Sequence, residues 1–217
     1  MINTIASTII TTAIVSINSV VAALPNSTAK VLAKRELSLN NRYSVPSVNE
    51  IMKKNILLNL AYLNGDVRQK KDIDWTRVTS KFHFEKSLQP GEVFAYHENI
   101  LSDYASKLAF TTNSQFNSSD GYLSDGYLFG DGVCHLASVI NWVAIDAGLK
   151  TYVPKDHRSV ARIPDIPDDY GVSIYMNQET GAGANNNLYI TNIKNVPVVF
   201  HFDFDGEKLT VSIGQSA

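Results

Sequence analysis

The chain has 217 residues, enough for one or two domains with a sizeable core. Its 19 basic and 21 acidic side chains give a net charge of −2, so it lacks the basic excess that phosphate backbones require, which excludes nucleic acid as a main partner. The single cysteine excludes an internal disulfide and a zinc site made of several thiolates.

The amino-terminal residues 1–29 carry no charged side chain. Ile5–Leu24 is apolar but diluted by Ser and Thr, and Val21-Ala22-Ala23 resembles the small residues before a signal cleavage site. We therefore expect a signal peptide or membrane anchor, an exported or membrane-anchored protein, and membrane contact only through this segment. The alternatives are a buried hydrophobic helix or a Ser/Thr-rich tail.

The next elements combine a short strand and a long helix. Residues 36–39 read as a linker or short strand. A helix is predicted over 47–63, where Ser47 and Glu50 have capping-box spacing and Asn64-Gly65 supplies a left-handed end.

The remaining chain is mostly β in pattern, with a long polar loop at 111–125. Alternating or β-branched residues predict strands at 81–85, 92–96, 171–176, 187–191, 198–204 and 208–213. Asp205-Gly206 predicts a tight hairpin turn between the last two. The expected fold class is α+β, with a cysteine-bearing helix packed on a mainly antiparallel sheet and an additional amino-terminal helix.

The cysteine lies where a glycine-rich turn enters this helix, which is expected to end near Gly148. At a helix start the free amides and the dipole favour a thiolate, the nucleophilic form of Cys134. The turn also predicts a substrate or oxyanion site, because its glycines allow close approach and its amides can donate to a developing oxyanion. The residues expected there are Gly130, Gly132, Val133 and His135.

A thiolate nucleophile needs a base, and His157 is the expected one. It follows the cysteine helix, next to the predicted carboxy-terminal sheet, as in papain-like and transglutaminase-like cores. His135 is the rival, but neighbouring helical residues point about 100° apart, which turns it away from Cys134. The alternative reading is a buried cysteine that serves as a small hydrophobe.

An ordered series of short motifs resembles the VanW-like domain of bacterial cell-envelope proteins, which is named for an accessory protein of glycopeptide-resistance clusters. The series comprises Leu88-x-Pro90-Gly91-Glu92-x-Phe94, Gly121-Tyr122, Gly130-x-Gly132-Val133-Cys134, Ser138, Ala147-Gly148-Leu149, His157, Asn192, Pro197 and Leu209-x-Val211-x-Ile213-Gly214. The resemblance implies a domain over 86–214, an amino-terminal extension over 30–85 and a location in the cell envelope.

The chain departs from the family pattern at three points. Asp131 replaces a middle glycine, and His135 stands where a glutamine is common. In place of a Gly-x-Asp-Ala element the chain offers Asp169-Tyr170-Gly171, so Asp169 is the nearest candidate for the third member of a catalytic triad, with Asp168 and Asp165 behind it.

The other histidines suggest no catalytic site. His201, Asp203 and Asp205 share one face of a strand and are able to ligate a metal, but a solvated face opposite core phenylalanines is the favoured reading. His83 and His97 are expected to be structural. We therefore expect no metal and no cofactor.

Three functions remain open, and whether the protein is an enzyme is open with them. The first is a cysteine-dependent amide hydrolase or acyltransferase acting on cell-wall peptide. The second is a non-catalytic envelope module that binds peptidoglycan or a partner protein. A redox thiol protein ranks lowest, because the chain has no resolving cysteine.

Overall fold

A computed structural model of the chain describes residues 30–126, 130–158, 162–174 and 183–215. The predicted signal peptide or anchor and the end of the predicted strand 171–176 lie outside these residues. The strands and helices, in chain order, are β1 (Lys30–Ser38), α1 (Pro46–Asn64), α2 (Trp75–Val78), β2 (Phe82–Leu88), β3 (Val93–Ala95), α3 (Ser102–Ala105), β4 (Leu108–Phe110), α4 (Val133–Asp146), β5 (Lys150–Tyr152), β6 (Tyr189–Thr191), β7 (Val198–Phe204) and β8 (Lys208–Gln215).

Two four-stranded sheets organise the fold. The first has the order β1-β8-β7-β2 and is antiparallel throughout, while the second has the order β4-β3-β6-β5 and contains one parallel pair, β3 with β4. Helix α4 packs on β1, β8 and α1. The prediction of an α+β fold with a cysteine-bearing helix on a mainly antiparallel sheet is confirmed.

The capping box predicted for the first helix is wrong. Helix α1 begins at Pro46, Val45 is its N-cap, and no side chain caps its first turn. Proline suits the first helical position, because its φ is already helical and it lacks an N–H that would be unsatisfied there. The predicted end is confirmed, since Gly65 has φ +90° and its N–H donates to the carbonyls of Ala61 and Tyr62.

The carboxy-terminal hairpin is confirmed, with its turn shifted by one residue. Asp205 pairs with Lys208 through the N–H of Asp205, so the two central residues are Gly206 and Glu207. The Asp205 carboxylate accepts the N–H groups of Glu207 and Lys208. Alternation along β7 buries its phenylalanines and leaves His201 partly exposed, as predicted.

Residues 30–85 and the segment that follows share one fold. Strand β1 pairs with β8 along almost its whole length, and β2 runs through the expected boundary between residues 85 and 86. One apolar core joins Leu37, Ile56, Ile140 and Ile213. The predicted division at residue 85 therefore does not correspond to a structural boundary. Among the described residues, no helix combines the length and apolar composition that a bilayer crossing requires.

Helix α4 begins against the backbone of α1. Gly132, its N-cap, has φ +97°, and a Cβ there would lie 2.7 Å from the carbonyl oxygen of Met52. A side chain at this position therefore meets both an unfavourable backbone conformation and a rigid neighbour. The glycine is what lets the two helices approach so closely.

We expect Gly132→Ala to lower the free energy of unfolding by ~3 kcal/mol or more, because left-handed strain and overlap with α1 add. Gly65→Ala is the matched control, since Gly65 has a similar φ but open space around its missing Cβ. Its expected loss is only about 1–2 kcal/mol. Urea denaturation of the three proteins measures both values, and equal losses would show that the close approach to α1 contributes nothing.

Candidate functional site

One face of α4 contacts the backbone of residues 170–174, which end a 3₁₀ turn at Tyr170 and continue as extended chain from Gly171. Cys134, Ser138 and Asn141 lie one turn apart on this face. The Cys134 thiol donates to the carbonyl of Ile174 (3.5 Å) and accepts the N–H of the same residue (3.4 Å). We call the three side chains the α4 clamp.

The other two members of the α4 clamp bind the same segment. The Ser138 hydroxyl accepts the N–H of Val172 at 2.8 Å and donates to the Cys134 carbonyl at 2.7 Å, and the Asn141 amide donates to the Tyr170 carbonyl at 3.0 Å. Sequence reasoning missed this arrangement, although the signal was present as polar residues at i, i+4 and i+7 on an otherwise apolar helix.

The surroundings of Cys134 disfavour the thiolate that its position at a helix start predicts. Burial raises the pKa of the Cys134 thiol to about 11, the hydrogen bond with the Ile174 backbone opposes the rise, and the charge of Asp131 adds to it. A thiol with such a pKa is protonated at neutral pH and is a weak nucleophile. The side chain is partly buried and packs against the core, where the alternative reading expected a fully buried small hydrophobe.

The glycine-rich turn uses its own amides. The N–H of Val133 donates to the carbonyl of Gly130, and the N–H of His135 donates to the carbonyl of Gly132. A Cβ on Gly130 would lie 2.8 Å from the carbonyl oxygen of Phe116, so this glycine, like Gly132, serves close backbone packing. The four residues expected to form an oxyanion site therefore close the turn and seat it on its neighbours.

His157 belongs to a segment that pairs with the clamped one. Its N–H donates to the carbonyl of Gly171 at 3.3 Å, and the N–H of Ser173 donates to the carbonyl of Lys155 at 3.0 Å. Cys134 instead contacts Ile174. Ile174 lies three residues after Gly171, and three residues of extended chain separate the two Cα atoms by roughly 10 Å. The structure thus brings Cys134 and His157 to the same pair of bridged segments but at different positions along it.

The carboxylates expected as a third triad member bind arginines. The Asp169 side chain, which is largely exposed, accepts from Arg158 Nη2 at 2.6 Å. Asp168 lies 3.6 Å from Arg162, and Asp165 accepts from the buried Arg42 at 2.5 Å. These contacts leave the three carboxylates as members of ion pairs.

His135 is buried in the first turn of α4. Burial, the charge of Arg42 and that of His157, in this order, lower its pKa to about 3. Its Nδ1 atom has no hydrogen-bond partner among the described residues. His135 is therefore neutral at physiological pH. Buried His97, whose Nδ1 accepts the N–H of Asn99, is neutral as well, because burial lowers its pKa to about 4.

A small cavity of about 100 Å³ opens beside His157. It is lined by His157, Arg158, Arg162, Ile163, Ile166, Pro167, Asp168 and Gly171. Apolar side chains and a proline form one part of the lining, and charged groups of both signs form the rest. Apolar and charged groups therefore meet in one small cavity.

Comparisons of the chain with protein-family models, curated proteins and solved structures found no match. The VanW-like resemblance therefore stays a prediction, based on the ordered motif series.

We expect native Cys134 to react with iodoacetamide at pH 8 at least ~100-fold more slowly than the same thiol in urea, because its raised pKa makes the thiolate scarce and its side chain is partly buried. His157→Ala is expected to leave the native rate unchanged. Labelling is followed by mass spectrometry against pH. A native midpoint near pH 7 that rises in His157→Ala would contradict this prediction and restore the catalytic pair.

Acid is expected to destabilise the protein through His135. A folded pKa of about 3 lies below the ordinary unfolded value, so this stabilisation is complete above about pH 6.5 and is lost as the pH falls towards 3. Between pH 8 and pH 4, the free energy of unfolding of His135→Gln should fall by ~2–3 kcal/mol less than that of the natural chain. Urea titrations at both pH values test this, and pH 8 gives the packing cost of the substitution alone. An equal fall in the free energy of unfolding of both proteins would contradict the role of His135.

Proposed function

We propose that this protein is a VanW-like module of the bacterial cell envelope that binds the peptide of peptidoglycan without cleaving it. The motif series from Leu88 to Gly214 supports the family and the envelope. The uncharged residues 1–29 support export or membrane anchoring. The cavity beside His157 is the proposed binding site.

The observation that carries the non-catalytic reading is the state of the Cys134 thiol. Its sulfur is hydrogen-bonded to the Ile174 backbone, and burial raises its pKa to about 11. A nucleophile for amide cleavage needs a thiolate at neutral pH and donors for the oxyanion. The N–H groups of Val133 and His135 are already engaged in the turn. These features favour binding over acyl transfer.

The charges at the cavity favour a peptide with a free carboxylate. Arg158 and Arg162 extend into solvent, and their partners Asp169 and Asp168 are half exposed or more. Exposed ion pairs of this kind contribute only about 0–1 kcal/mol, so a ligand carboxylate replaces the partner at little cost. Guanidinium groups bind carboxylates in a bidentate geometry. Cell-wall stem peptides carry such carboxylates on small D-alanine residues.

The volume of the cavity fits this ligand class. A cavity of about 100 Å³ holds roughly three water molecules, comparable with a methyl group and a carboxylate. Ile163, Ile166 and Pro167 provide the apolar contact for the methyl group. A glycan strand would need a longer groove, so the peptide is the part of the polymer that we assign to this cavity.

We expect a synthetic stem pentapeptide ending in D-Ala-D-Ala to bind the protein, as measured by titration calorimetry. The double substitution Arg158→Ala/Arg162→Ala should weaken binding about 10-fold or more, because both guanidinium groups are lost. Arg77→Ala is the matched control, since Arg77, on α2, is also an exposed arginine and forms an ion pair with Asp66. Equal affinity of all three proteins, or no binding to the natural chain, would contradict the proposal.

The same mixture distinguishes binding from cleavage. Mass spectrometry of the peptide after long incubation is expected to show it intact with the natural chain and with Cys134→Ser. Product that forms with the natural chain and disappears with Cys134→Ser would instead establish the hydrolase or acyltransferase.

A further inference from the structure

We propose that the outer face of the β2–β7 pair binds a zinc ion between His83, Glu85 and His201. The inference is independent of the proposed peptide binding. In the antiparallel register His83 stands opposite Asp203, and Glu85 stands opposite His201. Two successive cross-strand pairs therefore place two imidazoles and two carboxylates on the same face, since side chains two apart share a face.

The ligand atoms of the three residues already converge. The Glu85 Oε1 atom lies 3.3 Å from His83 Nε2 and 2.9 Å from His201 Nδ1, and one ligand atom from each residue falls within 4.8 Å of the others. Zinc bonds of about 2.0–2.1 Å in tetrahedral geometry separate ligand atoms by roughly 3.3 Å. Small rotations of exposed side chains are thus sufficient to close the site around an ion.

Asp203 orients the first histidine for this role. Its Oδ1 atom accepts a hydrogen bond from His83 Nδ1 at 2.6 Å. Because Nδ1 donates to Asp203, Nε2 is the ring nitrogen left for a metal, which would replace its 3.3 Å contact with Glu85 Oε1. Histidines that ligate zinc commonly donate their other ring N–H to a carboxylate, which fixes the tautomer and raises the basicity of the ligand.

The charge and chemistry of the cluster match a divalent transition metal. Imidazoles bind a metal in their neutral form, so with two carboxylates beside them the ligand set would carry a charge of −2, which one divalent ion neutralises. Imidazole ligands favour zinc and its neighbours over magnesium or calcium, which prefer oxygen. Among the described residues this is the one group of three or more such side chains whose ligand atoms converge, and it lies on a strand pair rather than on a loop.

The site is open to solvent. About half of the side-chain surface of His83, Glu85 and Asp203 is exposed, and His201 is the most buried of the four at 21%. Three protein ligands leave a fourth tetrahedral position for water. Such a site loads and releases its ion reversibly, in contrast to closed structural zinc sites, and the fold does not depend on it.

The test is zinc titration of untagged, chelator-stripped full-length protein by calorimetry. We expect one zinc ion per chain. His201→Ala and Glu85→Gln should each weaken binding at least 100-fold, and Asp203→Asn should weaken it about 10–100-fold, because it acts through His83. Glu36→Gln is the matched control, since Glu36 is an exposed, paired carboxylate on β1 of the same sheet. It should bind zinc as the natural chain does.

Circular dichroism of each variant confirms that the exposed substitutions leave the fold intact. Cobalt in place of zinc provides a second readout, because its visible absorption bands report imidazole ligation in a tetrahedral site. Absence of stoichiometric binding would overturn the proposal. So would zinc binding that His201→Ala and Glu85→Gln leave unchanged, since the ion would then be held elsewhere.

Discussion

The backbone of residues 170–174 depends on the α4 clamp for the hydrogen bonds on its helix-facing side. A buried segment outside the two sheets must satisfy its N–H and C=O groups some other way, because each unpaired group costs about 1–3 kcal/mol. Cys134, Ser138 and Asn141 supply those partners from one helix face. The clamped segment then pairs with 155–157, which positions His157 and the cavity beside it. The position of the proposed peptide site therefore depends on the contacts between the α4 clamp and residues 170–174.

The same clamp decides the chemical state of the cysteine. A helix N-terminus stabilises a nearby anion by about 0.3–1 kcal/mol at exposed positions and up to ~2 kcal/mol in partly buried ones. Burial opposes it, and the net rise of the Cys134 pKa from 9.0 to about 11 corresponds to roughly 3 kcal/mol in favour of the neutral thiol. Desolvation thus outweighs the dipole. A sequence reveals the helix start but not the segment that covers it.

Local patterns predicted local structure well. The end of α1 at Gly65, the start of α4 after Gly132 and the alternation in β7 all depend on neighbours within a few residues. The pairing of β1 with β8 and the covering of Cys134 by Ile174 join residues far apart in sequence, and no local pattern encodes them. Pro46 shows a further limit, because a capping-box spacing at the next residue concealed the stronger effect of a proline at the first helical position.

The hairpin register connects the solvated face with the proposed metal site. Burial of Phe202 and Phe204 turns His201 and Asp203 outward, so a solvated face and a set of metal ligands are compatible in one strand. Sequence alone grouped His201 and Asp203 with Asp205, whose carboxylate instead accepts backbone N–H groups in the turn. The remaining ligands come from β2, because the register sets His83 and Glu85 beside them. The zinc site could therefore be proposed only once β2 was known to pair with β7.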